Sequence, residues 1–483
     1  MIKKSIKREV EISKKRELMS HFSTWPVVWH DLFVIPLVDQ FLIYAPLHGM
    51  AALVNRAAVS SLKRAILSGK PANDARLDEI IHVLQTEVVT PPSPKCGNLA
   101  PAFLGLLPTR GCNLACRYCS FLATDNDNLV MSLSLAREAV DWYMDLVSQT
   151  DQAWAEIHYF GGEPFCAEEV IDFTVTLAGL RAHAAGRAVR FEVATNGAMD
   201  EKRCRWVADH FDTVVLSLDG PAEIQNFYRP YKNGRCSFEA VSRSARILSE
   251  GAACLFFRSC ITDQTVDRMA EIATWFCHEY RPGGVCFEPL QPVNDSTVEQ
   301  LVPPDPYKFA RHFIQAAEIL EAHGVESIYA SADIRTRRVS FCPVGQDAVI
   351  VSPDGALNAC YLLPKDWEAK GLDLCLGRMT GYGSIELDME RVARVRSLNV
   401  WNKPFCARCF CKWHCAGSCH VNHILPDHTG AYDRLCLQTR IIALRNILKS
   451  IGRIDLISQL LEDADALEQA AMQTSDILID VKE

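Results

Sequence analysis

From Leu104 to Pro292 the sequence repeats one rhythm, in which a short apolar run ends in polar or glycine residues and a helical pattern follows. That repetition predicts a parallel α/β architecture. Strands are expected at Phe103 to Leu107, Glu156 to Phe160, Val189 to Val193, Thr213 to Leu218, Cys254 to Cys260 and Val285 to Leu290. Segments between them, such as Ser134 to Gln149 and Phe238 to Glu250, carry apolar residues at helical spacing. Six such units make an open or partial (β/α)6 barrel, in which chemistry gathers at the C-terminal ends of the strands.

Two flanking regions break the rhythm. Before the barrel, Phe41-Leu42-Ile43-Tyr44, a turn near Pro46 to Gly49, Ala51 to Asn55 and a helix from Arg56 to Leu67 predict a small α+β unit. Pro91-Pro92-Ser93-Pro94 reads as a linker. After the barrel, cysteine motifs replace the α/β pattern, and the tail is helical and acidic. The expected division is 1–90, linker 91–100, barrel 101–330, cysteine-rich region 331–440 and tail 441–483, in keeping with two or three domains for 483 residues. The basic stretch from Lys3 to Arg16 reads as a solvated, frayed helix.

A formal charge of −9 gives no basic field for nucleic acid. There is no secretion signal and no run of about 18 apolar residues, so the expectation is a cytoplasmic protein that does not span a membrane. In that compartment twenty cysteines point to metal rather than to disulfides. Cys166, Cys204, Cys236, Cys254, Cys260, Cys277 and Cys286 are scattered singly and are expected as core thiols. The others of interest are ordered. Cys112, Cys116 and Cys119 form a CxxxCxxC loop directly after the first strand. Three thiolates leave one iron of a 4Fe-4S cubane without a protein ligand, and an open metal position is what a catalytic site needs.

This loop, with aromatic Tyr118 before its last cysteine, resembles the signature of radical S-adenosylmethionine (SAM) enzymes. The resemblance continues at later strand ends: Gly161-Gly162-Glu163-Pro164 is similar to the motif that holds the SAM amino group, followed by Thr195-Asn196-Gly197 and by Ser217-Leu218-Asp219-Gly220-Pro221. It implies that Tyr118, Gly161, Gly162, Glu163, Pro164, Thr195, Asn196, Ser217, Asp219 and Arg229 surround SAM. Ser217 would meet the ribose or carboxylate, and Arg229 the carboxylate. The implied chemistry is reductive cleavage of SAM, giving a 5'-deoxyadenosyl radical that abstracts a substrate hydrogen.

Downstream, Cys342 and Cys360 flank Gly355, then come Cys406-x2-Cys409-x5-Cys415-x3-Cys419 and finally Cys436. The order resembles the SPASM array of radical SAM peptide and protein maturases; paired cysteines at such spacing are also zinc-like. The resemblance implies two auxiliary 4Fe-4S clusters and three in all, with Cys406, Cys409, Cys415 and Cys436 on the distal one and Cys342, Cys360 and Cys419 on the proximal one. The proximal cluster then lacks a ligand, which Cys411 or Cys375 could supply, or it keeps an open iron.

Sulfatase maturases share this layout, but they carry an aspartate where Tyr361 follows Cys360, so Tyr361 becomes the candidate proton acceptor. The N-terminal unit looks like the winged-helix-like leader-binding module of ribosomal peptide maturation enzymes, which adds a precursor's leader as a β-strand. The expected function is therefore maturation of a ribosomally made precursor peptide, with a low-potential flavodoxin or ferredoxin type electron donor. A sulfatase-type maturase and a non-enzymatic iron-sulfur carrier are the rivals.

Overall fold

A computed structural model describes residues 31–68, 70–86, 90–119, 121, 128–291, 301–381, 383–423, 433–472 and 475–476. The basic N-terminal stretch lies outside the described residues. The chain divides into two compact units: Met1–Pro92 with Arg408–Phe410 and Ile447–Glu483, and Ser93–Ala407 with Cys411–Asn446.

In the first unit, β1 (Phe33–Pro36), β2 (Phe41–Ala45) and β3 (Met50–Val54) form an antiparallel meander followed by α1 (Arg56–Ser68) and α2 (Ala75–Thr86). The β2–β3 turn closes where it was expected, with His48 N donating to Ala45 O and Gly49 N to Pro46 O. Gly49 takes φ +62°, a left-handed conformation open to glycine at little cost. Ile43 from the sheet packs with Leu62 and Ile66 of α1 and with Leu77 and Leu84 of α2. Strand β1 precedes the hairpin read from the sequence, which gave no range for a third strand. Its outer edge pairs with the two-residue strand Ser475–Asp476, so β3 lies at the opposite edge of the sheet.

The second unit holds a mixed eleven-stranded sheet. All six expected strands occur: β4 (Leu104–Leu106), β5 (Trp154–Tyr159), β6 (Ala188–Thr195), β7 (Thr213–Ser217), β8 (Cys254–Ile261) and β9 (Gly284–Pro289), each parallel to the next. The parallel ladder runs past six, because β10 (Glu326–Ile328) joins β9 and β11 (Val349–Val351) joins β4. An antiparallel meander of β12 (Ala356–Asn358), β13 (Cys375–Met379) and β14 (Ile385–Leu387) continues from β11. The cysteine-rich segment is thus built directly onto the edge of the barrel sheet.

Helices α3 (Leu133–Ser148), α4 (Glu168–Ala184), α5 (Glu201–His210), α6 (Ala222–Tyr228), α7 (Phe238–Glu250), α8 (Met269–Glu279) and α9 (Pro306–Ala322) connect the strands or follow them. Several begin at caps legible in the sequence: Ser132 accepts from Leu135 N, Asp200 from Arg203 N, and Asp305, ahead of Pro306, from Lys308 N. In each central strand one side-chain row is fully buried, for example Ile157 and Tyr159, Phe191 and Val193, Leu255 and Phe257. The alternate row is only half-buried and carries Glu156, His158, Glu192, Ser217, Arg258 and Cys260. A parallel sheet packed on both faces would be apolar on both. The polar row marks the interior that serves the site.

Candidate active site

The end of β4 runs into the three-cysteine loop, which is held by backbone from the end of β5 and from the end of α6. Gly162 N donates to Thr109 O at 3.2 Å and Glu163 N to Gly111 O at 2.8 Å. From the other side, Ala115 N donates to Pro230 O and Arg117 N to Tyr228 O. The glycines are needed for this approach: a Cβ on Gly162 would lie 2.2 Å from Gly111 O and 2.5 Å from Arg110 O, both main-chain atoms. Gly162→Ala must therefore part the loop from the strand-end segment, at a cost of about 1–3 kcal/mol or more. The expected result is loss of most SAM cleavage with the absorbance of the downstream cysteine array retained, measured as 5'-deoxyadenosine against the visible spectrum. Parent-level product would show that the contact is dispensable.

Cys112, Cys116 and Cys119 line one cavity of about 330 Å³ together with Tyr118, Gly161, Gly162, Thr195, Asn196, Ser217 and Arg229. Burial pushes the Cys112 and Cys116 thiols up to about 12, and the neighbouring cysteines push the same way. Thiols crowded like this hold their charge only against a cation, so the donor set fits an iron-sulfur cluster. Asn196 donates through Nδ2 to Cys112 Sγ at 3.6 Å and to Asn113 Oδ1 at 2.8 Å.

Three of the expected SAM residues act from behind the cavity wall. Glu163 accepts from Thr195 Oγ1 at 2.7 Å, Asn196 N at 2.7 Å and Phe165 N at 3.2 Å, so protein donors occupy its carboxylate. Burial pushes that carboxyl up to about 7 against the pull of those bonds. Pro164 is buried beside it and starts a short 3-10 turn. Asp219, fully buried, accepts from Tyr118 Oη at 2.5 Å, Arg229 Nε at 2.9 Å, Arg229 Nη2 at 3.1 Å and Cys260 N at 3.0 Å. The Arg229 guanidinium lies 5.2 Å from the Tyr118 ring centroid, and it counters the burial of the Cys116 thiol. Arg229 is thus engaged by Asp219.

Tyr361, the candidate proton acceptor, is turned away from solvent. Its ring packs 4.9 Å from that of Phe160, and its hydroxyl oxygen, sealed from solvent and without a hydrogen-bond partner, lies against Gly105. Burial holds the phenol well above its usual range, and the neighbouring Glu192 and Glu156 add to the effect. The next residue, Leu362, lines the cavity instead.

In the cysteine array, burial pushes Cys342 up to about 11 and Cys360 up to about 12, with Cys419 close enough to raise both. Cys406 and Cys415 are buried, and Lys403, whose Nζ donates to Gly417 O at 2.9 Å, feels both of them as well as Cys342 and Cys419. Cys409 and Cys411 are also buried, while the Cys375 thiol donates to Gly377 O at 3.6 Å. Cys436 Sγ lies 3.5 Å from His423 Nε2, which pairs with Asp433 at 2.7 Å. Of the seven cysteines expected as core thiols only Cys204 is fully buried; Cys166, Cys236 and Cys254 are exposed, and Cys260 lines the cavity.

Motif reading also missed Arg258 and Glu288 in the cavity wall, paired at 2.6 Å, and Asp366 and Asn422 opposite them. Arg258 and Glu288 were visible as polar residues alternating with apolar ones inside strands.

Residues 106–276 match the model of the Radical SAM superfamily. The chain carries a radical SAM domain, and it is an enzyme. It is homologous to anaerobic sulfatase maturases: 24% identical over 272 residues to the cysteine-type anaerobic sulfatase-maturating enzyme of Clostridium perfringens, covering 53% of this chain and 73% of that one. A serine-type anaerobic sulfatase-maturating enzyme of Bacteroides thetaiotaomicron is 29% identical over 145 residues, 29% of this chain and 34% of the other. The solved structure of native anSMEcpe with bound AdoMet and Cp18Cys peptide shares the fold, at TM-score 0.56 and 18% identity, covering 74% of this chain and 99% of that one. No helix among the described residues is long and apolar enough to cross a membrane.

Proposed function

We propose that this enzyme matures a ribosomally made precursor peptide, using a SAM-binding cluster and two auxiliary clusters in a SPASM-type array. The observation that carries the reading is the cavity itself. It is lined both by the three-cysteine loop with the strand-end motifs and by Leu362, Asp366, Val421 and Asn422, from the segments that follow Cys360 and Cys419. A substrate residue held there would meet the SAM site and the segments next to two of the array cysteines together.

When bound by Cys112, Cys116 and Cys119, a 4Fe-4S cluster supplies the electron that turns SAM into a source of a hydrogen-abstracting 5'-deoxyadenosyl radical. The chain's own residues do the rest. Asn196 donates to the Cys112 sulfur, and Arg229 keeps a positive charge beside Cys116. The Gly161-Gly162 backbone offers acceptors to an ammonium group, and Ser217 faces the ribose or carboxylate. Cys342, Cys360 and Cys419 would hold the proximal auxiliary cluster, and Cys406, Cys409, Cys415 and Cys436 the distal one. A flavodoxin or ferredoxin type donor in the cytoplasm would supply the electrons. Iron should reach roughly twelve per chain after anaerobic reconstitution. Iron near four, or zinc in the array, would remove the auxiliary clusters.

A peptide substrate is supported by the related structure, native anSMEcpe with bound AdoMet and Cp18Cys peptide. The first unit supplies a place to hold a leader, since β3 is an edge strand and the far edge of β1 is already paired. Proline in β2 would break a central strand, so the test belongs in β3. Of Ala51→Pro and Ala52→Pro, the one whose N–H points away from β2 should weaken precursor binding by about tenfold, measured by isothermal titration, with SAM cleavage unchanged. Equal affinity in both variants would move leader recognition elsewhere.

The second reading, a sulfatase-type formylglycine maturase, is favoured by the homology to anaerobic sulfatase-maturating enzymes. It is weakened by Tyr361 at the aspartate position, with its hydroxyl buried beneath Phe160. Mass spectrometry of a sulfatase-derived cysteine or serine peptide and of a candidate precursor, each incubated with enzyme, SAM and dithionite, separates the two. Formylglycine in the first and no change in the second would overturn the proposal.

A further inference from the structure

Inside the barrel, on the polar row of β5 and β6, three side chains converge: Glu156, His158 and Glu192, with one ligand-type atom from each lying within 4.8 Å of the others. None of them lines the cavity of the SAM site. The imidazole is held in a definite orientation. Phe103 stacks on it with ring centroids 4.2 Å apart and planes 10° from parallel, and Glu156 Oε1 lies 2.7 Å from Nε2. That contact engages Nε2 and leaves Nδ1 as the nitrogen available to a ligand on the other side of the ring. Nδ1 faces Glu192 Oε1 across 3.9 Å, too far for a hydrogen bond. Two bonds of about 2.1 Å to a shared cation span such a gap.

A second observation points to the same spot. Tyr361 Oη is buried without a partner, 2.8 Å from where a Cβ on Gly105 would stand. Gly105 is the ladder partner of His158. The missing side chain at Gly105 is therefore what lets the phenol reach the interior face beside the imidazole, and Glu192 and Glu156 are near enough to act on it. A buried hydroxyl with no partner is costly unless a ligand completes it.

The geometry assigns to this cluster a binding site for a divalent first-row cation, with His158 Nδ1, Glu192 and Tyr361 Oη as ligands and Glu156 as the carboxylate that orients the histidine. One imidazole nitrogen with carboxylate and phenol oxygens suits Mn²⁺, Fe²⁺ or Zn²⁺ rather than a soft cation. A carboxylate on the far nitrogen of a ligating histidine is the usual supporting arrangement. Arg190, which acts on Glu156 and lies 4.0 Å from the Trp154 ring centroid, is the competing positive charge. A bound cation would brace the residue after Cys360 against β5 and β6. The site does not depend on which peptide reaction the enzyme performs.

The probe is Mn²⁺ added to the anaerobically reconstituted, desalted protein and followed by electron paramagnetic resonance. One Mn²⁺ per chain should bind, and electron spin echo modulation should show a coordinated imidazole nitrogen. Glu156→Gln should weaken binding by about 10–100-fold. Glu192→Gln should weaken it at least as much and Tyr361→Phe by less, while Asp141→Asn, on the outer surface, should leave it unchanged. The visible spectrum of the clusters reports that each variant is folded. Absence of Mn²⁺ binding, absence of nitrogen modulation in the parent protein, or parent-level affinity in both Glu156→Gln and Glu192→Gln would each overturn the assignment; the nitrogen measurement needs no variant.

Discussion

Replacing Cys112, Cys116 or Cys119 singly by alanine is expected to reduce dithionite-dependent formation of 5'-deoxyadenosine to the level without enzyme, while most of the iron remains. Each of the three lines the cavity, and the burial that raises Cys112 and Cys116 makes them poor thiolates unless metal is bound. Two cysteines cannot make up for the third, because the cluster is held by three protein ligands and its remaining iron must stay open. Lost metal binding is also lost local order, since binding free energy of this kind contributes directly to folding. The array should be spared, because its cysteines belong to segments beginning at Cys342, more than 200 residues further on. Iron should fall by roughly one third on the three-cluster reading, with the array's absorbance kept. A variant that lost all visible absorbance would show that the two regions assemble interdependently. One that cleaved SAM at the parent rate would end the assignment of the loop.

What could be read in advance was what is contiguous. The three-cysteine loop, the Gly161-Gly162-Glu163-Pro164 segment and the six barrel strands each lie within a few residues of chain, and their order survives in the fold. What could not be read was long-range satisfaction of buried polar groups. Glu163, expected around SAM as part of its motif, also ties the end of β5 to the end of β6, because a buried carboxylate between two strand ends takes the nearest donors. Asp219 and Arg229 were both expected around SAM; that they pair with each other follows from a turn after β7 and the end of α6, which no local pattern reports. Tyr361 was read by analogy with an aspartate; where its hydroxyl lies, against Gly105 of β4, is a long-range contact that its neighbours in sequence do not report. The polar row of β5 and β6 carried a usable signal. Glu156 and His158 alternate with Ala155, Ile157 and Tyr159, a period-two pattern with charge on the face that a closed barrel would keep apolar.

The pairing of Asp219 with Arg229 leads to the second large effect, on stability and on the cluster together. Asp219→Ala should destabilise the barrel unit by about 3–5 kcal/mol, because it leaves the Arg229 guanidinium buried without its counter-ion. It also strips the acceptor from Tyr118 Oη and Cys260 N, so the aromatic residue beside Cys119 loses its anchor. Burial opposes the charge on Arg229, and Asp219 holds it in place, so the pair stands or falls as a unit. Stability alone does not define the role, and a double variant separates the two parts. Asp219→Ala with Arg229→Met removes both charges and fills part of the space; replacing a buried ion pair with apolar groups is often neutral or stabilising, so most of the folding free energy should return. The positive charge beside Cys116 does not return with it. If Arg229 serves the cluster electrostatically, the double variant should melt near the parent temperature yet carry a SAM-binding cluster of lower reduction potential and cleave SAM more slowly, read by potentiometric titration and by 5'-deoxyadenosine yield. A double variant with parent stability, parent potential and parent cleavage would reduce the pair to scaffolding.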